Sequence, residues 1–180
     1  SKLLEEKKYK YSDLGYYLLQ PVMENLCGQK LNEFTMNTFY KPLGLSTMGY
    51  LPKERIQKEQ IVPTEFDYYY RSQLLQGDVH DMGAAMFGGV AGHAGLFSNA
   101  NDLAIFMQMY LQGGEYASER YFEASTVADY TKCQFCEDEN RRGAGFDKAA
   151  LPEQEGGPAC DCNPSSRAFG HSGFTGTLVW

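Results

Sequence analysis

The 180 residues carry 16 lysines and arginines against 23 aspartates and glutamates, a formal charge of −7 and a pI near 5.0, which removes the electrostatic case for nucleic-acid binding. A hydrophobic share of 43%, with 14% of the chain aromatic, describes a chain that folds and can bury a core of its own. No apolar run approaches the ~20 residues that a membrane-spanning helix needs.

Residues 1–10 are charged and expected to fray. A helix should start at Ser12 as N-cap with Asp13 in its first turn, and Leu14, Tyr17, Leu18, Met23 and Leu26 keep helical spacing. Pro21 should kink it and Gly28 should end it. A second helix fits Leu31 to Tyr40, closed by Lys41-Pro42-Leu43-Gly44-Leu45, and residues 46–80 read as loops with short helical turns. Met86 to Gly95 is a glycine-dense loop. Ser98 or Asn99 then caps the clearest helix, Ala100 to about Gln112, with Leu103, Phe106, Met107, Tyr110 and Leu111 on one face and Gly113-Gly114 as its stop. A short helix fits Ser125 to Thr131. Residues 137–167 are polar and loop-rich, with Ala144 to Asp147 as a short strand, and a last strand begins near Arg167. The sequence stops inside the apolar, strand-like run Thr177–Trp180 and opens without a methionine. It therefore reads as one partial domain of a longer protein, truncated at both ends, so the lack of a visible signal peptide says nothing about compartment.

Two short stretches carry chemistry. Phe169 to Thr177 places the imidazole of His171 before a small-residue run, Ser172, Gly173 and Gly176, that reads as an extended strand able to offer backbone N–H groups to a substrate. Far upstream stands Tyr11-Ser12-Asp13. His80 and His93 sit in loop surroundings where bonding to backbone groups is the expected role rather than catalysis. Cys133-x-x-Cys136 and Cys160-x-Cys162 bracket a polar loop; they could form a four-thiolate zinc knuckle, disulfides of an exported protein, or free thiols. The tight Cys-x-Cys spacing weighs against zinc. Cys27 is expected to be a buried free thiol at a helix end.

Several segments occur in a telling order: Tyr11-Ser12-Asp13-Leu14-Gly15-Tyr16, Pro42-Leu43-Gly44-Leu45, Gly77-Asp78-Val79-His80-Asp81, Gly88 to Ser98 with Asp102-Leu103-Ala104, Gly143 to Lys148, and His171-Ser172-Gly173. The ordered set resembles the serine β-lactamase and penicillin-binding-protein superfamily, nearest its esterase-like and carboxypeptidase-like branch. That resemblance implies an α+β fold, here a partial β-lactamase/transpeptidase-like one, mainly the helical region plus the strand with the His-x-Gly motif. The superfamily works through Ser-x-x-Lys, a Tyr-x-Asn or Ser-x-Asn element, and Lys-Thr-Gly or its His-x-Gly variant. The second maps to Tyr11-Ser12-Asp13, with Asp13 where Asn is more usual, and the third to His171-Ser172-Gly173. The first should lie upstream of Tyr11 and is absent, so these 180 residues should lack the covalent nucleophile.

The resemblance assigns Tyr11 to take the serine proton and return it to the leaving group, and Asp13 to orient a substrate polar group or the missing lysine. It assigns His171 to bind a substrate carboxylate or stabilise developing charge. The Phe174 N–H becomes an oxyanion-hole donor, with Ser172 and Gly173 lining the substrate strand. It calls for no cofactor and no metal. The implied partners are a small-molecule or peptidoglycan-like substrate, the rest of the parent chain and, as in some relatives, a fused glycoside hydrolase domain. The implied location is periplasmic, secreted or cell-envelope. Two other readings stand beside it: a non-catalytic binding or scaffold domain of the same fold, and a zinc-stabilised interaction module.

Overall fold

In the computed structural model, which describes residues 9–136, 140–149 and 165–180, helix α1 spans Leu14–Cys27. Asp13 rather than Ser12 is its capping residue, while the Ser12 hydroxyl accepts the Leu14 N–H at 3.2 Å. The helix continues through Pro21, and it ends as expected at Gly28, whose φ of 67° is the left-handed conformation glycine adopts most easily. Helix α2 (Leu31–Thr35) runs directly into a π-helical turn, Met36–Tyr40, so the expected helix forms at full length but widens in its second half. Thr35 Oγ1 bonds back to the Leu31 carbonyl at 2.9 Å, a competitor for the helical ladder at the point of change. Tyr40, Leu43 and Leu45 then enter the interior.

The chain divides into two units, Ser1–Phe106 and Met107–Trp180. The division falls inside a continuous helix, where no linker composition could mark it. In the first unit, short 3-10 turns at Pro52–Glu54 and Lys58–Gln60 lead to an antiparallel hairpin of β1 (Phe66–Asp67) and β2 (Gln73–Leu74). Its loop is organised by one buried carboxylate. Asp67 accepts the N–H groups of Tyr69, Tyr70 and Arg71 and the Arg71 Nε, and Arg71 spends its other nitrogens on the carbonyls of Val79 and His80. The Arg71 guanidinium, with those N–H groups, holds the Asp67 carboxyl well below the usual range. Helix α3 (Met82–Met86) is capped by Asp81, whose Oδ1 accepts the Ala84 N–H at 2.7 Å. The glycine loop follows. At Gly95, φ is 110° and a Cβ would lie 2.4 Å from the Gly89 carbonyl oxygen, so only glycine fits.

Helix α4 (Ala100–Leu111) starts where the sequence places it, with Asn99 Oδ1 accepting the Asp102 N–H at 2.8 Å. Asp102 turns inward and is buried, accepting the Thr47 N–H and Oγ1–H, both at 2.7 Å, and the Met48 N–H at 3.3 Å. Burial alone would push its carboxyl up; those three donors outweigh it and leave it below the usual range.

In the second unit, Gly113 and Gly114 end α4 with positive φ, and a small hairpin pairs β3 (Glu115–Tyr116) with β4 (Glu119–Arg120). Helix α5 spans Ala124–Thr131. A three-stranded antiparallel sheet closes the unit: β5 (Asp147–Lys148), β6 (Phe169–Ser172) and β7 (Leu178–Val179), with β6 in the middle. Met109 is fully buried, and Phe146 meets Tyr110 and Phe169 edge to face with centroids 5.4 and 5.1 Å apart.

The strand-like run at 177–180 holds β7, which pairs with His171 and Ser172. One expectation is corrected here: the strand of His171 does not continue past Ser172. The Gly173 N–H donates to the Thr177 carbonyl at 2.6 Å, the Gly176 N–H donates to the Gly173 carbonyl at 3.1 Å, and Gly176 adopts φ 87°, so residues 173–176 form the hairpin turn. The architecture is α+β. The charged residues 1–8, most of the polar loop and Cys160 and Cys162 lie outside the described residues.

Candidate active site

The expected site residues fall into two groups, one in each unit. His171, Ser172, Gly173 and Phe174 stand together at the end of β6 and in its turn. The central strand is laddered unevenly: β5 pairs with Phe169 and Gly170, and β7 with His171 and Ser172. Two hydrogen-bonding contacts orient the imidazole. His171 Nδ1 lies 2.7 Å from the Ser172 carbonyl oxygen, and Nε2 lies 3.1 Å from Arg142 Nη1. A guanidinium can only donate and a carbonyl can only accept, so both contacts are satisfied together by the tautomer in which Nδ1 donates and Nε2 accepts. Arg142 brings a guanidinium to this end of the strand.

Arg142 belongs to a set that sequence reasoning did not single out. Arg141 grips Asp147 with Nε at 2.8 Å and Nη2 at 3.0 Å, and Arg142 Nη2 lies 3.5 Å from the same carboxylate. Burial opposes ionisation of Asp147, but the Arg141 bonds, the Lys148 N–H and the second guanidinium prevail and hold its carboxyl below the usual range. Lys148 Nζ donates to the carbonyls of Thr131 and Ala168, and burial pushes this ammonium down. The signal was legible only in part: an arginine pair followed by an acid six positions after the first arginine. Phe174 is 92% exposed in the turn.

In the first unit, Tyr11 and Asp13 stand two positions apart just before the first residue of α1. Burial pushes the Tyr17 phenol up, and the carboxylates of Asp81 and Asp13 add to it. His93, expected to bond backbone, instead has Nε2 2.8 Å from Asp81 Oδ1, and its side chain is only 4% exposed. Its Nδ1 has no partner among the described residues. His80 likewise meets a carboxylate, Glu65 Oε1, at 2.6 Å. Cys133 and Cys136 are joined in a disulfide, one of the states expected for this pair, and in that state their sulfurs are not thiolate ligands; Cys160 and Cys162, the other half of the expected zinc set, lie outside the described residues. Cys27 is free but exposed, contrary to expectation, because α1 buries none of its residues.

The sequence pattern of the Beta-lactamase family matches residues 5–180. This chain belongs to the β-lactamase family. It is 34% identical over 184 residues to a protein of Escherichia coli (strain K12) provisionally named D-alanyl-D-alanine carboxypeptidase, and 35% identical over 184 residues to the N-acetylmuramyl-L-alanine amidase of Bacillus subtilis (strain 168). Each match covers 96% of this chain but only 42% and 41% of those relatives, so the chain spans about two fifths of their length. Among solved structures, a β-lactamase from Mycobacterium bovis superposes with a TM-score of 0.52 at 21% identity, covering 89% of this chain and 47% of that one. The octameric penicillin-binding protein homologue of Pyrococcus abyssi gives 0.50 at 20% identity over 71% of this chain and 26% of its own. These two share the fold. The family is thus shared with relatives named as a carboxypeptidase and an amidase.

Proposed function

We propose that this chain forms two walls of the acyl-transfer site of a serine hydrolase, and that the serine and its lysine come from a Ser-x-x-Lys segment preceding Tyr11 in the longer protein. The reading rests on one observation: Tyr11-Ser12-Asp13 and His171-Ser172-Gly173 occur in family order within a family member. Tyr11, as phenolate, takes the proton from the serine hydroxyl while the serine oxygen attacks the substrate carbonyl carbon. The tetrahedral oxyanion then collapses, the bond to the leaving group breaks, and Tyr11 returns the proton to that group. Water hydrolyses the acyl-enzyme by the same route. A phenol of ordinary pKa about 10 needs a nearby cation to act near neutrality, which the missing lysine supplies.

At the other wall, His171 and the Arg142 guanidinium 3.1 Å from its Nε2 together attract a substrate carboxylate. The Phe174 N–H is one oxyanion donor, a kind of contact worth about 3–4 kcal/mol in the transition state. Ester, amide and β-lactam carbonyls all fit this chemistry. The names of the E. coli and B. subtilis relatives favour a peptidoglycan-like peptide, handled in the periplasm or envelope. The 180 residues act as one partial domain and by themselves form no acyl adduct.

The test is labelling of the longer protein with a fluorescent penicillin. The expected adduct is on a serine upstream of Tyr11, with Tyr11→Phe slowing acylation about 10²–10⁴-fold. A protein that neither this probe nor a fluorophosphonate labels is instead a binding or scaffold domain of the same fold.

A further inference from the structure

In the second unit a disulfide ring and a backbone strap share the same two residues. Cys133 and Cys136 are bonded to each other across a sequence separation of 3, so only Gln134 and Phe135 lie between them. Gln134 and Phe135 also hold the segment that carries the arginine pair. The Gln134 N–H donates to the Arg142 carbonyl at 2.9 Å, and the Asn140 N–H donates to the Phe135 carbonyl at 3.2 Å in an isolated antiparallel bridge. Arg142 is thus held by its backbone to the disulfide ring, while its Nη1 lies 3.1 Å from His171 Nε2. Other ties in this neighbourhood do not involve the ring. Arg141 grips Asp147, and the Ala144 N–H donates to the Tyr130 carbonyl at 2.8 Å. Cys136 is exposed, open to a thiolate from outside, and Cys133 is half-buried.

We infer that the Cys133–Cys136 disulfide is a redox switch on Arg142 and, through it, on His171. The inference rests on the proposed role of those two side chains toward a substrate carboxylate. A disulfide stabilises a whole fold more the longer the loop it closes, and this one closes a very short ring, so its effect is local. What it restrains is the backbone of Gln134 and Phe135, two exposed residues that bring little burial to hold themselves in place. The step is thiol–disulfide exchange with a dithiol, protein or small molecule. One thiolate of the dithiol attacks the Cys136 sulfur, the bond between the two cysteines breaks, and its electron pair leaves on Cys133, which takes up a proton. The second thiol of the dithiol, losing its proton, closes the dithiol's own disulfide and releases Cys136 as a thiolate, which is protonated in turn. Two electrons have passed, leaving two thiols here and a disulfide on the reductant. The Cys133 sulfur lies 3.3 Å from the Asn140 carbonyl oxygen, so the new thiol has an acceptor at hand. Reduction loosens the strap on Arg142, while the Arg141–Asp147 pair and the Tyr130 bond keep the unit folded.

The test uses the longer protein with Cys27→Ala, which removes the exposed free thiol. Acylation by a fluorescent penicillin is timed in oxidised and in reduced dithiothreitol, and ring-nitrogen NMR follows His171 in the same samples. Reduction should slow acylation at least about fivefold and shift the His171 Nε2 resonance, and reoxidation should restore both. The double variant Cys133→Ser with Cys136→Ser should match the reduced protein and ignore the redox buffer, and Arg142→Met should be slow in either buffer. Circular dichroism should stay that of the folded protein throughout. A redox response that persists in the double variant, peptide mapping that pairs either cysteine with Cys160 or Cys162, or unfolding on reduction overturns the inference. Acylation with no redox response refutes the switch alone. A His171 resonance that answers to reduction in a protein that is never acylated refutes the hydrolase mechanism alone.

Discussion

Replacing Arg142 with methionine tests the reading of His171 at the level of a single proton. The change removes the guanidinium whose Nη1 lies 3.1 Å from His171 Nε2 and keeps most of the aliphatic stem. A hydrogen bond from a charged donor contributes about 1.5–3 kcal/mol, and at about 1.4 kcal/mol per tenfold this biases the ring toward the Nδ1-protonated form by roughly 10- to 100-fold. Arg142 is 26% exposed and shares its charge with Asp147, so the lower end of that range applies. The chain has only three histidines, so ring-labelled nitrogen NMR resolves them readily. The wild-type spectrum should show His171 with a bare Nε2 and a protonated Nδ1. In Arg142→Met the population protonated at Nε2 should rise by about tenfold. A wild-type Nε2 that already carries a proton, or a tautomer ratio that ignores the substitution, would refute the assignment.

Other consequences follow from the buried carboxylates, the glycines and the thiols. Asp102→Ala strands the Thr47 N–H, the Thr47 hydroxyl and the Met48 N–H, and should cost about 3 kcal/mol or more in urea unfolding; a loss under about 1 kcal/mol contradicts the contacts. Asp67, Asp102 and Asp147 all have lowered folded-state pKa values, so their stabilisation is present above the unfolded value of about 3.9 and lost as pH falls through the folded values. Acid unfolding followed by circular dichroism should set in below about pH 4, and Arg71→Met should move its midpoint upward. Gly95→Ala, with its Cβ 2.4 Å from a carbonyl oxygen, should destabilise well beyond Gly28→Ala, which has open space and meets only the left-handed penalty of about 1–2 kcal/mol. Alkylation without reductant should modify Cys27 and spare Cys133 and Cys136.

Much of the helical frame was legible because its signals are local. Asn99, Gly28 and the Gly113-Gly114 pair each fix one backbone conformation, and the elements they bound appear within a residue or two of expectation. What stayed hidden depends on distance. Strands of two residues, such as β1 and β2, are too short to show an alternating pattern. The side-chain partners Glu65, Asp81 and Arg142 of His80, His93 and His171 lie 15, 12 and 29 positions away, so no spacing rule could name them. Periodicity in α1 identified an apolar stripe but not whether anything covers it, and the exposure of Cys27 was missed for the same reason. The end of β6 was misread because Ser172-Gly173 suits a strand as well as a turn; the left-handed Gly176 decides for the turn.

The hairpin loop Tyr68-Tyr69-Tyr70 presents, on sequence, ideal bait for a chymotrypsin-like protease, with Tyr69 92% exposed. Cleavage requires about ten residues of backbone to leave their folded path and lie extended in the protease cleft. Here a single carboxylate, Asp67, holds three successive N–H groups of that backbone, and Arg71 fastens it to Val79 and His80. The loop can show its rings to solvent while withholding its peptide bonds. Digestion of the folded protein should therefore spare this site and open it only when the Asp67–Arg71 pair is broken, which makes protease nicking at Tyr69 a direct gauge of that one ion pair.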